Sequence, residues 1–252
     1  MSLATADLIA ALDHYLNSAA IHDYCPNGLQ VEGRPRIRRI VSGVTASQAL
    51  IDAAIEQQAD AILVHHGYFW KGESPVVRGM KQRRLKSLLT HDINLIAYHL
   101  PLDIHPEVGN NVQLAHKLGL RINGPLEAGN PNSVGLIGEL PQPQSSAALA
   151  SHIEHVLGRT PMVVDAGKPI RTLGWCTGGA QNYIDHAIAA GVDAFITGEI
   201  SEHSTHSALE NGLSYFAAGH HATERYGVQA LGDWIARTLG IEHQYVECPN
   251  PA

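Results

Sequence analysis

Cysteine is scarce in this sequence, and long apolar runs are missing. The 252 residues include three cysteines, which lie far apart and form no CxxC pair. This spacing argues against a disulfide framework and against a zinc ribbon. No run approaches the roughly 18 consecutive apolar residues of a membrane span, and the first residues do not resemble a basic, then apolar, export signal. We therefore expect a cytoplasmic protein.

Positively charged residues are also fewer than negatively charged ones. The chain has 17 lysines and arginines against 24 aspartates and glutamates, which gives a formal net charge of −7. Non-specific binding to nucleic acid or to an anionic membrane needs an excess of positive charge. We expect no membrane partner, and any contact with nucleic acid would have to be local.

Three common catalytic motifs are missing as well. The sequence contains no GxSxG, no GxxxxGK[ST] and no GxGxxG. These absences remove the nucleophile elbow of many serine hydrolases, the P-loop and the usual dinucleotide-binding turn. Histidine, in contrast, is abundant, with 16 residues. Several histidines cluster with carboxylates, which is typical of a metal site with nitrogen and oxygen ligands.

One apolar run, from Asp60 to Gly67, ends in the adjacent pair His65 and His66. The run predicts a buried strand that delivers two metal ligands at its C-terminal end. Neighbouring side chains of a regular strand point to opposite faces, so the pair can share an ion only if the extended geometry breaks. Gly67 is the expected position of that break. The alternative is an ordinary strand end with one packed and one solvated histidine.

Two further strand ends carry similar groups. A predicted strand from Asn94 to His99 stops before Pro101, which places His99 and Asp103 beyond its end. A predicted strand that begins at Ser214 is followed by His220 and Glu224, whose i, i+4 spacing puts both on one side of a helical turn. The alternative for this last pair is a helix start with a surface ion pair.

The second half of the chain repeats the first. A shift of 133 positions aligns residues 38–66 with 171–199 without gaps and with eight identities in 29 positions, including the pairs Arg38/Arg171 and Asp60/Asp193. This repeat predicts an α/β fold of two βαβ-containing halves related by a pseudo-twofold axis. We expect the halves to be residues 1–125 and 126–252, with the metal site between them.

The side chains at these strand ends favour a dinuclear centre. Asp103 is the acid best placed to bridge two ions, and the remaining ligands would be His65, His66, His220 and Glu224. Two ions roughly 3.5–4 Å apart can activate a bridging water, which implies hydrolysis of a phosphoester or a ring C–N bond. His99 and Glu199 are candidates for acid–base catalysis or for supporting the ligands. The Thr177–Gly179 segment would either offer backbone amides to an anion or form a tight turn.

The combination of motifs resembles the NIF-three-like family, and in particular its bacterial YbgI branch. The residues that carry the resemblance are Val64-His65-His66-Gly67, His99-Leu-Pro-Leu-Asp103, Thr197-Gly-Glu199, Gly219-His220-His221-Ala-Thr-Glu224, Trp175-Cys-Thr-Gly-Gly179 and Asn27-Gly-Leu-Gln-Val31. The resemblance implies a duplicated α/β fold, a toroidal homohexamer and a dinuclear metal centre inside the ring. It also places the family's ligands on His65, His66, Asp103, His220 and Glu224.

Two functions follow from these observations as alternatives. Members of the family are commonly labelled GTP cyclohydrolase type 2 homologues, which implies that metal-bound hydroxide attacks a nucleotide-like substrate such as GTP. The other possibility is a non-catalytic hexamer that binds or handles metal, or serves as an interaction scaffold. Mixed histidine and carboxylate ligation suits two divalent ions of Zn, Mn, Fe, Co or Ni.

Overall fold

A computed structural model describes residues 2–252 as two compact units. The first unit takes in the described residues up to Val108 together with Gly227–Cys248, and the second comprises Gly109–Tyr226 with Pro249–Ala252. Within the described part of the chain, no helix is both long enough and apolar enough to cross a membrane.

The elements of the first unit that precede Val108 are β1 (Leu3–Ala4), α1 (Thr5–Leu16), β2 (Gly28–Val31), β3 (Arg36–Ile37), β4 (Arg39–Thr45), α2 (Gln48–Glu56), β5 (Ala61–His66), α3 (Gly79–Thr90), β6 (Asn94–Ala97) and α4 (Leu100–Ile104). The second unit contains α5 (Asn110–Leu118), β7 (Arg121–Pro125), β8 (Leu136–Gln144), α6 (Ser146–Leu157), β9 (Met162–Val164), β10 (Ile170–Trp175), α7 (Ile184–Ala189), β11 (Ala194–Thr197), α8 (Glu202–Asn211) and β12 (Ser214–Ala217). The last elements are α9 (His220–Leu239), which begins in the second unit and ends in the first, and β13 (Glu242–Tyr245).

The sheet of the first unit has the strand order β13-β4-β5-β6-β2. Its first four strands are parallel, and β2 pairs antiparallel with β6. Strand β5 is apolar from Ala61 to Val64, as expected for a strand in a sheet with both faces covered. Leu63 packs in a cluster with Leu8 and Leu12 of α1, whereas Ile62 packs in another cluster with Leu50 of α2. Alternate residues of β5 therefore enter opposite halves of the core.

The sheet of the second unit has the order β7-β8-β10-β11-β12-β9. It contains three parallel strands, β10, β11 and β12, with an antiparallel neighbour at each end of the trio. In the first unit, β4, β5, β6 and the antiparallel strand β2 have the same arrangement as β10, β11, β12 and β9. The duplication expected from the sequence is therefore visible in the strand order.

The register of the repeat also holds residue by residue. Strand β5 starts at Ala61 and β11 starts at Ala194, which is 133 positions later. Asp60 Oδ2 accepts the backbone N–H groups of Arg38 (2.7 Å) and Arg39 (3.0 Å). Asp193 Oδ2 likewise accepts the N–H groups of residues 171 (2.9 Å) and 172 (2.8 Å). In each unit, this aspartate satisfies two backbone donors where the neighbouring strand begins.

These two aspartates give a matched stability prediction. We expect Asp60→Ala and Asp193→Ala each to lower the free energy of unfolding by on the order of 2 kcal/mol, because each leaves two backbone donors without a charged acceptor. Partial burial would raise the pKa of Asp193, but the hydrogen bonds from Thr172 and Arg171 lower it overall. A carboxylate with a lowered folded-state pKa stabilises above its unfolded pKa and loses that contribution as the pH falls.

Urea titrations at pH 7 and at about pH 3 measure both effects. The difference between wild type and Asp193→Ala should be largest at pH 7 and should shrink at the lower pH. Equal midpoints for wild type and both variants at pH 7 would contradict the capping role.

The division into units departs from the boundary at 125/126 that the sequence suggested. Residues 121–125 form β7, which pairs with β8 and belongs to the second unit. At the other end, β13 pairs in parallel with β4 of the first unit. Strand β13 has the sequence Glu-His-Gln-Tyr, with no apolar alternation that would predict a return to the first sheet.

Candidate metal centre

Strand β5 ends in the buried His65, whose orientation is fixed by backbone contacts. Its Nδ1 lies 3.0 Å from the carbonyl oxygen of Tyr98. A carbonyl oxygen can only accept, so Nδ1 carries a proton, and in the neutral ring the lone pair is on Nε2. That Nε2 atom lies 3.5 Å from Asp103 Oδ1. A histidine held in this tautomer beside a buried carboxylate is prepared to bind a cation through Nε2.

The neighbouring His66 converges with His65 although both lie inside the strand. Their ring centroids are 4.5 Å apart, and β5 continues through both residues. Strand β5 ends at His66, so the extended geometry stops before Gly67 as expected, but this glycine does not adopt a left-handed conformation. A Cβ at position 67 would instead overlap Gln30 Oε1, which accepts the N–H of Tyr68 at 2.7 Å. Glycine is needed here for close packing rather than for a left-handed backbone.

His99 joins this pair to form a three-histidine cluster. One ring nitrogen from each of His65, His66 and His99 lies within 4.8 Å of the others, so the cluster could hold a metal ion. The His99 ring is 5.0 Å from that of His65 and 4.9 Å from that of Trp70. The sequence suggested His99 as a supporting or acid–base residue, and the structure places it beside the candidate ligands.

Asp23 is the partner of His99, and sequence reasoning missed it. Its Oδ1 lies 2.7 Å from His99 Nδ1, and only 3% of its side chain is exposed. Burial alone would raise the pKa of Asp23, but hydrogen bonds from His99, Asn27 and Leu100 lower it to about 2. The carboxylate is therefore ionised at neutral pH. Asn27, in the motif noted from the sequence, was the only signal near it.

Cys25 lies close to Asp23 and His99, and their ligand atoms fall within 4.8 Å of one another. Burial, with a smaller effect from the negative charge of Asp23, raises the pKa of the Cys25 thiol to about 12. The thiol is therefore protonated at neutral pH, which disfavours it as a nucleophile.

Asp103 lies in a one-turn helix rather than directly at the strand end. Pro101 occupies the first turn of α4, where its missing N–H costs nothing. The N–H groups of Leu102 and Asp103 donate to the carbonyl of His99 at 2.9 and 3.1 Å. The Asp103 side chain is buried, with 4% of its surface exposed. The helix turns this acid back towards His65.

The second unit assembles Glu199, His220 and Glu224. His220 Nδ1 lies 2.6 Å from Glu199 Oε1, and His220 Nε2 lies 3.0 Å from Glu224 Oε2. Burial would lower the pKa of His220, but hydrogen bonds and charges from Glu224 and Glu199 raise it to about 9. A proton therefore stabilises this ring between two carboxylates, and a cation shared by Nε2 and Glu224 could replace it.

Gly178 makes room for this group. Its φ is +71°, and a Cβ there would overlap Glu224 Oε1 and lie 3.1 Å from His220 Nε2. Its N–H donates to Thr223 Oγ1 at 3.0 Å. The Thr177–Gly179 segment bends at Gly178, and the amides of Thr177 and Gly178 both donate to acceptors within the protein.

The predicted site residues therefore fall into two sets. The first unit brings together His65, His66, His99 and Asp103, and the second brings together Glu199, His220 and Glu224. Imidazole and carboxylate donors of this kind fit a divalent transition metal. Two further observations also fit a bound divalent metal. His65 is held with its proton on Nδ1, and Gly178 leaves room for Glu224 and His220.

Comparison with known proteins agrees with these observations. The profile of the family described as Duf34/NIF3 (NGG1p interacting factor 3) matches residues 3–251. A protein of Pseudomonas aeruginosa named "GTP cyclohydrolase 1 type 2 homolog" is 66% identical over 252 residues, which cover 100% of both chains. A protein of the same name from Vibrio cholerae is 56% identical over 247 residues, covering 97% of this chain and 98% of the relative.

A solved structure described as "protein ybgI, unknown function" superposes with a TM-score of 0.96 at 53% identity, covering 99% of this chain and 100% of that one. The fold, the histidine and carboxylate sets and the match over almost the whole length lead to one conclusion. The chain belongs to the Duf34/NIF3 family.

Proposed function

We propose that this protein binds two divalent ions per chain and hydrolyses a small nucleotide-like substrate, with ring opening of GTP as the first candidate reaction. The observation that carries the proposal is the controlled tautomer of His65, whose Nδ1–H is held by the Tyr98 carbonyl while Nε2 faces Asp103. Such second contacts orient metal-binding histidines in general.

The proposed ligands are His65, His66, Asp103, His220 and Glu224. Asp103 is the proposed bridging ligand because it is buried and its carboxylate faces His65 Nε2. Glu199 accepts the proton on His220 Nδ1, which turns Nε2 towards Glu224. When bound, the ions would supply an activated water for hydrolysis.

The remaining proposed group is His99, which would exchange a proton with the substrate. Its Nδ1 donates to Asp23, so its other ring nitrogen is the one available for that exchange. The name shared by the relatives, "GTP cyclohydrolase 1 type 2 homolog", makes GTP the first substrate to test.

A substrate screen tests the hydrolase. Metal-loaded protein is incubated with nucleotides, phosphoesters and pterin precursors, and products are followed by chromatography. We expect turnover of GTP or a related nucleotide that falls to background in Asp103→Ala and persists in Asp60→Ala, which lies at the opposite end of β5. If no substrate gives turnover that Asp103→Ala abolishes, the hydrolase is excluded and a metal-handling role takes its place.

A further inference from the structure

The carboxylate of Asp23 is fully occupied by hydrogen bonds. Its Oδ1 accepts the N–H of Tyr24 (2.6 Å) and the Nδ1–H of His99 (2.7 Å). Its Oδ2 accepts the side-chain amide of Asn27 (2.9 Å) and the N–H of Leu100 (2.8 Å). A carboxylate offers about four acceptor sites, so these donors fill it. A metal ion would have to displace several of them, which argues against Asp23 as a ligand.

The same contacts hold the helix that carries Asp103. Asp23 caps α4 through the N–H of Leu100, and Asn27 Oδ1 accepts the N–H of His99 at 2.8 Å. Helix α4 has five residues. So short a helix is not stable alone, because fixing the backbone dihedrals of its first turn costs more free energy than its first hydrogen bond returns. Its position therefore depends on the acceptors supplied by the segment 23–27.

Asp23 also selects the tautomer of His99. An ionised carboxylate only accepts, so the proton of a neutral His99 stays on Nδ1 and the lone pair stays on Nε2. The Nδ1–H of His65 likewise donates to the carbonyl oxygen of Tyr98. Two of the three clustered histidines thus have Nδ1 anchored by an acceptor.

We propose that Asp23 is a positioning residue that fixes the His99 tautomer through its hydrogen bond from His99 Nδ1 and the placement of Asp103 through its hydrogen bond from the Leu100 N–H. Its effect on the tautomer stands alone, whereas its effect on metal affinity rests on the proposed function. Asp23 lies in a loop, and its partner His99 lies 76 residues further along the chain.

The tautomer is measured by long-range ¹H–¹⁵N correlation of metal-free protein at about pH 8.5, where histidines of ordinary pKa are neutral. The His99→Gln variant assigns the His99 signals. We expect the Nδ1–H form in wild type and a shift to the Nε2–H form, which a free histidine side chain prefers, in Asp23→Ala. Asp60→Ala is the matched control, because it removes another carboxylate that accepts two backbone N–H groups but lies at the other end of β5.

Metal affinity is measured on the same proteins by competition for Zn²⁺ with a chelator. Asp23→Ala should bind Zn²⁺ about 10–100-fold more weakly than wild type, and Asp60→Ala should match wild type within about twofold. An unchanged His99 tautomer in Asp23→Ala, or equal losses of affinity in both variants, would overturn the proposal. If the His99 tautomer differs between wild type and Asp23→Ala but wild type binds no Zn²⁺, the role of Asp23 is supported and the proposed metal function is refuted.

Discussion

Replacing Gly178 with alanine is expected to weaken the binding of divalent ions by at least about tenfold. The new methyl group would overlap Glu224 Oε1 and press on His220 Nε2, which lies 3.1 Å from the Cβ position. Glu224 is 4% exposed in its side chain and has little space into which to move. The carboxylate must leave its place beside His220, and both residues of that pair are proposed ligands.

Gly191→Ala is the control for this experiment. Gly191 has a φ of +67°, close to the +71° of Gly178, but a Cβ there would meet nothing within 4 Å. Both variants therefore carry the same backbone cost of roughly 1–2 kcal/mol for a left-handed alanine. Only Gly178→Ala should also lose metal affinity, measured by calorimetric titration with Zn²⁺ or Mn²⁺. Equal affinities in the two variants would show that Glu224 does not bind the ion.

Removing Asp103 has the second large expected effect, which is the loss of both ions. A bridging carboxylate contacts both metals, so its deletion should empty both positions rather than one. We expect about two divalent ions per chain in wild type and fewer than about 0.2 in Asp103→Ala, measured by elemental analysis after gel filtration.

Two further variants make this result specific. Asp103→Asn keeps the volume of the side chain but removes its charge, and it should also lose most of the metal. Asp52→Ala removes an exposed acid of α2 that accepts a hydrogen bond from Gln48 Nε2 at 2.8 Å, and it should keep both ions. Circular dichroism checks that each variant is folded. Retention of both metals by folded Asp103→Ala would exclude the bridging role.

Much of the fold could be predicted because the sequence carries strong local signals. Strand β5 is apolar from Ala61 to Val64, and helix α1 places Leu8, Leu12 and Leu16 on one face. The repeat with a shift of 133 gave the correspondence of β5 with β11, which the strand order confirms. These features depend on periodicity and on identity at fixed spacing, both of which are visible in the sequence itself.

Other features depend on contacts between distant residues and leave no local pattern. Asp23 lies in a loop and reaches His99 across the chain, so its role could not be predicted from spacing. Gly67 suggested a bend but is required by the approach of Gln30. Helix α4 forms where Pro101 indicated only the end of a strand, because acceptors from Asp23 and Asn27 hold its first turn.

The candidate site divides in the same way. Five candidate ligands could be named from the sequence because each lies at the end of an apolar run or in the helical turn that follows it. They are His65, His66, Asp103, His220 and Glu224. Their orientation could not, since the tautomer of His65 depends on the Tyr98 carbonyl and the room for Glu224 depends on Gly178. Residue type was predictable, and the contacts that prepare each residue were not.

Anomalous diffraction from crystals of metal-loaded protein tests the central claim most directly. The account predicts two peaks per chain, roughly 3.5–4 Å apart, with Asp103 between them. It also predicts that His65, His66, His220 and Glu224 lie at about 2.0–2.2 Å from one peak or the other. Metal-loaded crystals with no peak beside Asp103, or with one ion that touches neither His65 nor His220, would contradict the account.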